Sequence, residues 1–147
     1  MLKLYVIRHA ETEWNAQQRM QGWKDSSLTE TGRKHATLLQ ERLRTVPFTA
    51  LYCSPSDRTK ETAQIVLGQR DVPMYFDERL REIHLGHWEG KTIAEIAQTD
   101  ERNHYYFIMN HMHTIRSLEK RFLMCNVELS LPFSILLILI QKVIFLS

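Results

Sequence analysis

The sequence predicts an α/β fold of three layers, a mostly parallel sheet flanked by helices. Short apolar, β-rich runs at 2–7, 50–53 and 73–76 alternate with stretches of helical periodicity, the order of elements that builds a parallel sheet. Turn-forming Gly, Pro and Ser residues punctuate the runs up to Gly90, so each element has a defined stop. A chain of 147 residues is long enough for one domain with a core of its own.

The elements follow in order. Leu2 to Ile7 is a continuous apolar run, read as a strand buried on both faces. Arg8 interrupts it too early for a signal peptide. Ala10 to Asn15 is polar and reads as a loop. Ser27-Leu28-Thr29-Glu30 opens a helix, with Thr29 or Ser27 as N-cap. Ala36, Leu39 and Leu43 then share one helical face, which ends before Pro47. Ala50 to Cys53 is a second strand, and Ser54-Pro55-Ser56 turns into a helix from Asp57 to Leu67, stopped by Gly68. Pro73 to Phe76 is extended, and Thr92 to Gln98 begins another helix.

Composition excludes several classes of partner. Nineteen Lys and Arg against 17 Asp and Glu give a formal charge of +2, and no basic run suggests nucleic acid. Cys53 and Cys125 lie far apart and form no CxxC pair, so they read as reduced thiols of a cytoplasmic protein. His104, His111 and His113 lack the spacing of a metal site, and His35, His84 and His87 read as surface, loop or packing residues. The apolar stretch from Leu129 to Leu146 carries Lys142 near its end and falls short of a membrane span of about 20 apolar residues. It reads as an apolar tail, an aggregation hazard.

The chemistry gathers at the expected carboxyl ends of the strands, where open parallel sheets bind ligands. Arg8-His9 follows the first strand, Arg58 follows the second, and Glu82 lies in a loop after the third. A neutral imidazole is a competent nucleophile towards phosphorus. Guanidinium forks match the equatorial oxygens of a transferring phosphoryl group. The leaving alkoxide needs a proton, and a carboxyl beside a phosphate dianion holds one because like charges disfavour ionisation. Glu82 therefore donates first and accepts from water afterwards. Glu89 is its rival, and Glu82 is preferred.

Arg8-His9-Ala10-Glu11-Thr12-Glu13-Trp14-Asn15 resembles the RHGETxxN signature of the histidine phosphatase superfamily, the phosphoglycerate-mutase-like proteins. The resemblance continues through Gln21-Gly22, Leu28-Thr29-Glu30-Thr31-Gly32, the run from Ser54 to Ala63, and the run from Leu80 to Gly90. It covers residues 1–102. It implies a phosphoglycerate-mutase-like fold, His9 as phosphohistidine nucleophile, Arg8 and Arg58 as phosphate clamps, and Glu82 as proton donor. Asn15, Gln21 and Gly22 match positions lining the phosphate or substrate pocket. Ala10 stands where many members have Gly. The block from Glu82 to Gly90 looks more like the small broad-specificity phosphatases than the mutases. The implied activity is cofactor-independent hydrolysis of a small phosphate monoester, with mutase-type transfer or an inactive phosphate-binding remnant as alternatives.

From about residue 103 the pattern departs. The family carries a second histidine in a strand-end S/T-H-G motif, and no His-Gly pair occurs after residue 87. All five glycines precede residue 91, although average usage of about 7% would place about four beyond it. Residues 103–147 therefore read as a non-family segment, with a shift of reading frame as the simplest account, and the fold is expected to be incomplete. Losing one preorganised phosphoryl-binding donor typically costs about 10²–10³ in rate.

Overall fold

A computed structural model of the chain describes residues 2–107, 109 and 137–142. Four strands form one sheet in the order β1-β4-β2-β3. They are β1 (Leu2–Ile7), β2 (Ala50–Cys53), β3 (Met74–Phe76) and β4 (Leu137–Lys142). β2 and β3 pair in parallel. β4 lies between β1 and β2, antiparallel to both, so β1, β2 and β3 share one direction. Three of the four described strands thus run in parallel directions, in an incomplete α/β arrangement.

The register places the site. Ile7 and Cys53 both stand opposite Leu137, and Cys53 stands opposite Phe76. The carboxyl ends of β1, β2 and β3 are therefore level, and the segments leading to His9, Arg58 and Glu82 leave the sheet at one edge.

The helices form where local signals dictate. Thr29 caps α2 (Glu30–Arg42), its hydroxyl accepting from the Gly32 N–H at 2.9 Å. Between Asp57 and Leu67 runs α3, which Gly68 ends at φ 58°. Thr92 and Glu95 make a reciprocal capping box on α4 (Ile93–Thr99). The segment expected as a loop contains a short helix, α1 (Glu13–Ala16), with Thr12 and Asn15 as its own capping box. Four residues carry no helical period, so only the caps could have announced it.

One core holds these pieces together. Leu51 and Cys53 point to the same face of β2 and are fully buried, against Ala36 and Leu43 from α2 and its end, and Ala63, Val66 and Leu67 from α3. Burying each large aliphatic side chain contributes about 1.5–3 kcal/mol. β1 departs from the expectation of burial on both faces: Leu4 is 42% exposed. The reason is position, since β1 is the edge strand of the described sheet. Residues 137–142 of the apolar tail are strand, and the rest of that tail, with Cys125, His111 and His113, lies outside the described residues. Among the described residues no helix is long and apolar enough to cross a membrane.

Candidate active site

A cavity of about 290 Å³ opens at the carboxyl edge of the sheet. Arg8, His9, Asn15, Gln21, Gly22, Arg58 and Glu82 all line it, so the residues expected from three separate loops meet in one space. Met20, Ile83, Leu85, Ile93, Ile96 and Phe107 supply an apolar wall, and His104 stands among them.

His9 is buried, and its Nδ1 lies 2.7 Å from the Ala10 carbonyl oxygen. A carbonyl only accepts, so Nδ1 carries the proton and Nε2 keeps its lone pair. Burial foremost, joined by the charges of Arg58 and Arg8, lowers the His9 pKa to about 4, against the opposing pull of the Ala10 hydrogen bond and Asp25. The imidazole is therefore neutral at any physiological pH. Thr62 fixes its backbone, accepting from the Ala10 N–H at 3.0 Å and donating to the Arg58 carbonyl at 2.7 Å.

Arg58 is 2% exposed and is the second residue of α3. Its Nη1 donates to the Lys24 carbonyl at 3.0 Å and to Asp25 Oδ1 at 2.8 Å, and its Nη2 donates to the Gly22 carbonyl at 2.9 Å. Its Nε is buried and has no partner among the described residues. A buried donor without an acceptor is costly. Asp25 does more than pair with Arg58. Its Oδ2 accepts from the Asp57 N–H at 2.6 Å and the Arg58 N–H at 3.4 Å, capping α3 from a distant loop where Ser56 makes no side-chain cap.

Arg8 lies in the field of both neighbours. Burial and the charge of Arg58 lower its pKa, and Glu82 works in the opposite direction. The Asn15 amide oxygen accepts from the Thr12 N–H and hydroxyl, each at 3.0 Å, which leaves the amide NH₂ as its group for a ligand. The Gln21 amide nitrogen bonds Thr12 and Ser26.

The two glutamates differ in environment. Glu82 is half-buried at the cavity and accepts from the Ile83 N–H at 3.0 Å. Glu89 is buried, and its carboxylate accepts from the backbone N–H groups of Trp23 at 2.9 Å, Leu85 at 3.1 Å and Lys24 at 3.2 Å. Burial works to raise the Glu89 pKa, but those three bonds outweigh it and the net shift is downward. Glu89 is thus an ionised anchor for the loop around Gly22. Gly22 has φ +63°, and a Cβ there would meet the Glu89 carboxylate and the Ile83 carbonyl, so no other residue fits the turn.

Asp25, Thr62 and Glu89 were not singled out as site residues from the sequence, Glu89 only as a rival acid. Asp25 follows the quoted Gln21-Gly22 by three positions, and nothing local marks its contact with α3. His104, set aside as a chance histidine, lines the cavity, its ring 6.4 Å from that of Trp88. His35 is exposed, as expected. Burial pushes the Cys53 thiol up to about 11, so it stays protonated and inert. Among the described residues no cluster of His, Cys, Asp and Glu has the arrangement of a metal site.

The sequence pattern of the histidine phosphatase superfamily (branch 1) matches residues 4–121. The chain belongs to this superfamily. The match reaches beyond residue 102, where the motif-by-motif resemblance stops. The chain is 38% identical over 102 residues to a protein of Photorhabdus laumondii named "Probable phosphoglycerate mutase GpmB", an alignment covering 69% of this chain and 47% of that protein. It spans about half the length of the curated relatives it matches. Among solved structures, Bacillus stearothermophilus YhfR superposes with a TM-score of 0.69 at 43% identity, over 82% of this chain and 68% of that one. The alpha-ribazole phosphatase of Shigella flexneri superposes with a TM-score of 0.68 at 30% identity, over 77% and 55% respectively. The superfamily thus offers both phosphatases and proteins named as mutases for comparison.

Proposed function

We propose that this chain is a cytoplasmic phosphatase that hydrolyses small phosphate monoesters through a phosphohistidine on His9. The observation that carries the reading is the His9 Nδ1 contact with the Ala10 carbonyl, because it leaves Nε2 as a neutral nucleophile in the cavity shared with Arg8, Arg58 and Glu82. The Nε2 lone pair attacks phosphorus, and the P–O bond to the ester oxygen breaks. Glu82 gives its proton to that oxygen. Water then attacks the phosphohistidine, Glu82 takes back a proton, the N–P bond breaks and inorganic phosphate leaves. Arg8 and Arg58 hold the equatorial oxygens, with Asn15, Gln21 and Gly22 completing the phosphate end. No cofactor takes part.

Hydrolysis fits better than mutase-type transfer. A phosphoglycerate brings a carboxylate and a second hydroxyl to the far side of the phosphate. That side is lined by Met20, Ile83, Leu85, Ile93, Ile96 and Phe107. Arg19, the further cation on the cavity, is held by the Gly90 carbonyl at 2.7 Å, Gln17 at 2.9 Å and Glu95 at 3.7 Å. An ester with an apolar body suits this wall. The chemistry falls within residues 1–102, with His104 and Phe107 contributing to the wall. Without a His-Gly strand-end motif, turnover is expected below that of a complete site by about 10²–10³.

The test is turnover of p-nitrophenyl phosphate by the purified chain, with acid-labile and base-stable phosphate trapped on His9. His9→Ala should abolish both. Turnover that survives His9→Ala refutes the mechanism, and soluble chain without turnover or trapped phosphate is an inactive remnant.

A further inference from the structure

We propose that Trp23 is a positioning residue for Glu82, an inference that rests on the phosphatase reading above. The Trp23 side chain is 52% exposed and serves no core, yet its contacts are specific. Its indole N–H donates to the Glu82 carbonyl oxygen at 2.8 Å. The Arg81 guanidinium lies over the same ring at 4.9 Å, and the His84 ring meets it edge-on at 4.9 Å and 73°. All three contacts fall on Glu82 or its near neighbours.

That segment needs a holder. It runs between two single turns of 3₁₀ helix, Glu78–Leu80 and Gly86–Trp88, and has no ladder of its own. The Glu82 carboxylate accepts from its own neighbour, the Ile83 N–H, a bond that follows the loop wherever it goes. Trp23 is in turn fixed at its backbone, where its N–H donates to buried Glu89. The residues on either side of it, Gly22 and Lys24, offer their carbonyls to Arg58. One loop thus holds the phosphate clamp through its backbone and the proton donor through a side chain. It sets the distance between them, and a general acid acts only from within hydrogen-bond reach of the leaving oxygen.

The role makes a prediction that loss of stability does not. A proton donor matters for a poor leaving group and little for a good one. In the full-length chain, Trp23→Ala should lower kcat/KM, which reports the step that expels the leaving group, about tenfold or more for phenyl phosphate relative to its effect on p-nitrophenyl phosphate. Trp23→Phe keeps the ring and loses the N–H, and should show the same pattern at about 2- to 10-fold. It carries the test if the alanine variant does not unfold cooperatively. In a Glu82→Gln background, Trp23→Phe should add no further discrimination between the two esters. Equal losses of kcat/KM on both esters, or discrimination that persists without the Glu82 carboxyl, overturns the positioning role and leaves the phosphatase reading intact. No turnover of either ester by the unmodified chain overturns that reading and this inference together.

Discussion

The two walls of the cavity are built in opposite ways. The wall proposed to hold phosphate is buried apart from exposed Arg8: His9, Thr12, Gln21 and Arg58 are each at most 8% exposed, and carbonyls, carboxylates and hydroxyls hold most of their polar groups. The far wall is apolar and partly open, with Ile83 48% and Ile93 46% exposed beside a buried Ile96. A phosphoryl group is the same in every ester, so its holder gains from preorganised dipoles in a dry site. The ester's body varies, and an apolar, partly exposed surface accepts variety because it makes no directional demand. Glu82 sits between the two, belonging chemically to the first wall and mechanically to the second.

The largest effect expected from breaking this contrast comes from Asp25. Asp25→Ala removes the carboxylate partner of an Arg58 that is almost fully buried, together with the cap on α3. Breaking a buried pair by deleting one partner costs about 3–5 kcal/mol, measurable by urea unfolding. A cost under about 1 kcal/mol would mean that the phosphate wall is not held as described.

The second effect is a pH dependence. His9 has a pKa of about 4 in the folded chain against an ordinary 6.5, so between these values the unfolded chain binds the extra proton. Stability therefore falls as pH drops from about 6.5 to about 4, by roughly 3 kcal/mol for this one group. Urea midpoints across that window should show the slope, and His9→Asn should flatten it. The same shift places the acid limb of kcat/KM near pH 4 rather than 6.5.

The smallest is Glu89→Gln, which keeps the volume but replaces an acceptor oxygen with an NH₂. Leaving one of its backbone donors unpaired costs about 1–3 kcal/mol. The depressed pKa of Glu89 gives this contribution a direction: it is complete above the ordinary carboxylate range and lost as pH falls through the lower folded value. If Glu89→Gln instead left stability unchanged while abolishing the leaving-group discrimination tied to Glu82, the assignment of acid and anchor would be reversed.

Local chemistry was largely legible. Thr29 announced its helix through its cap position, Gly68 ended α3, and Ala50 to Cys53 read as a strand, while Thr92, read as the start of its helix, proved to be its N-cap. The short α1 and the exposed face of Leu4 were less so, because a single turn has no periodicity and burial depends on which strand lies at the edge. Arg8, His9, Arg58 and Glu82 were legible as types because phosphoryl chemistry calls for an imidazole, guanidinium groups and a carboxyl. Their functions of clamp, nucleophile and acid remain proposals that the variants above test.

By itself, the sequence determined the residue types, the loops that carry them and the order of strands and helices up to α4, since these depend on neighbours within a few positions. Only the tertiary structure decided which His9 nitrogen is free, which Arg58 nitrogens have partners, that Glu89 is anchored while Glu82 is half-exposed, and that β4 runs between β1 and β2. Apart from the His9 contact with Ala10, each depends on partners 30 or more positions away, such as Asp25 with Arg58 or Trp23 with Glu89. Hydrogen bonds at that range leave no spacing in the chain, because burial and backbone geometry select them after the elements have packed.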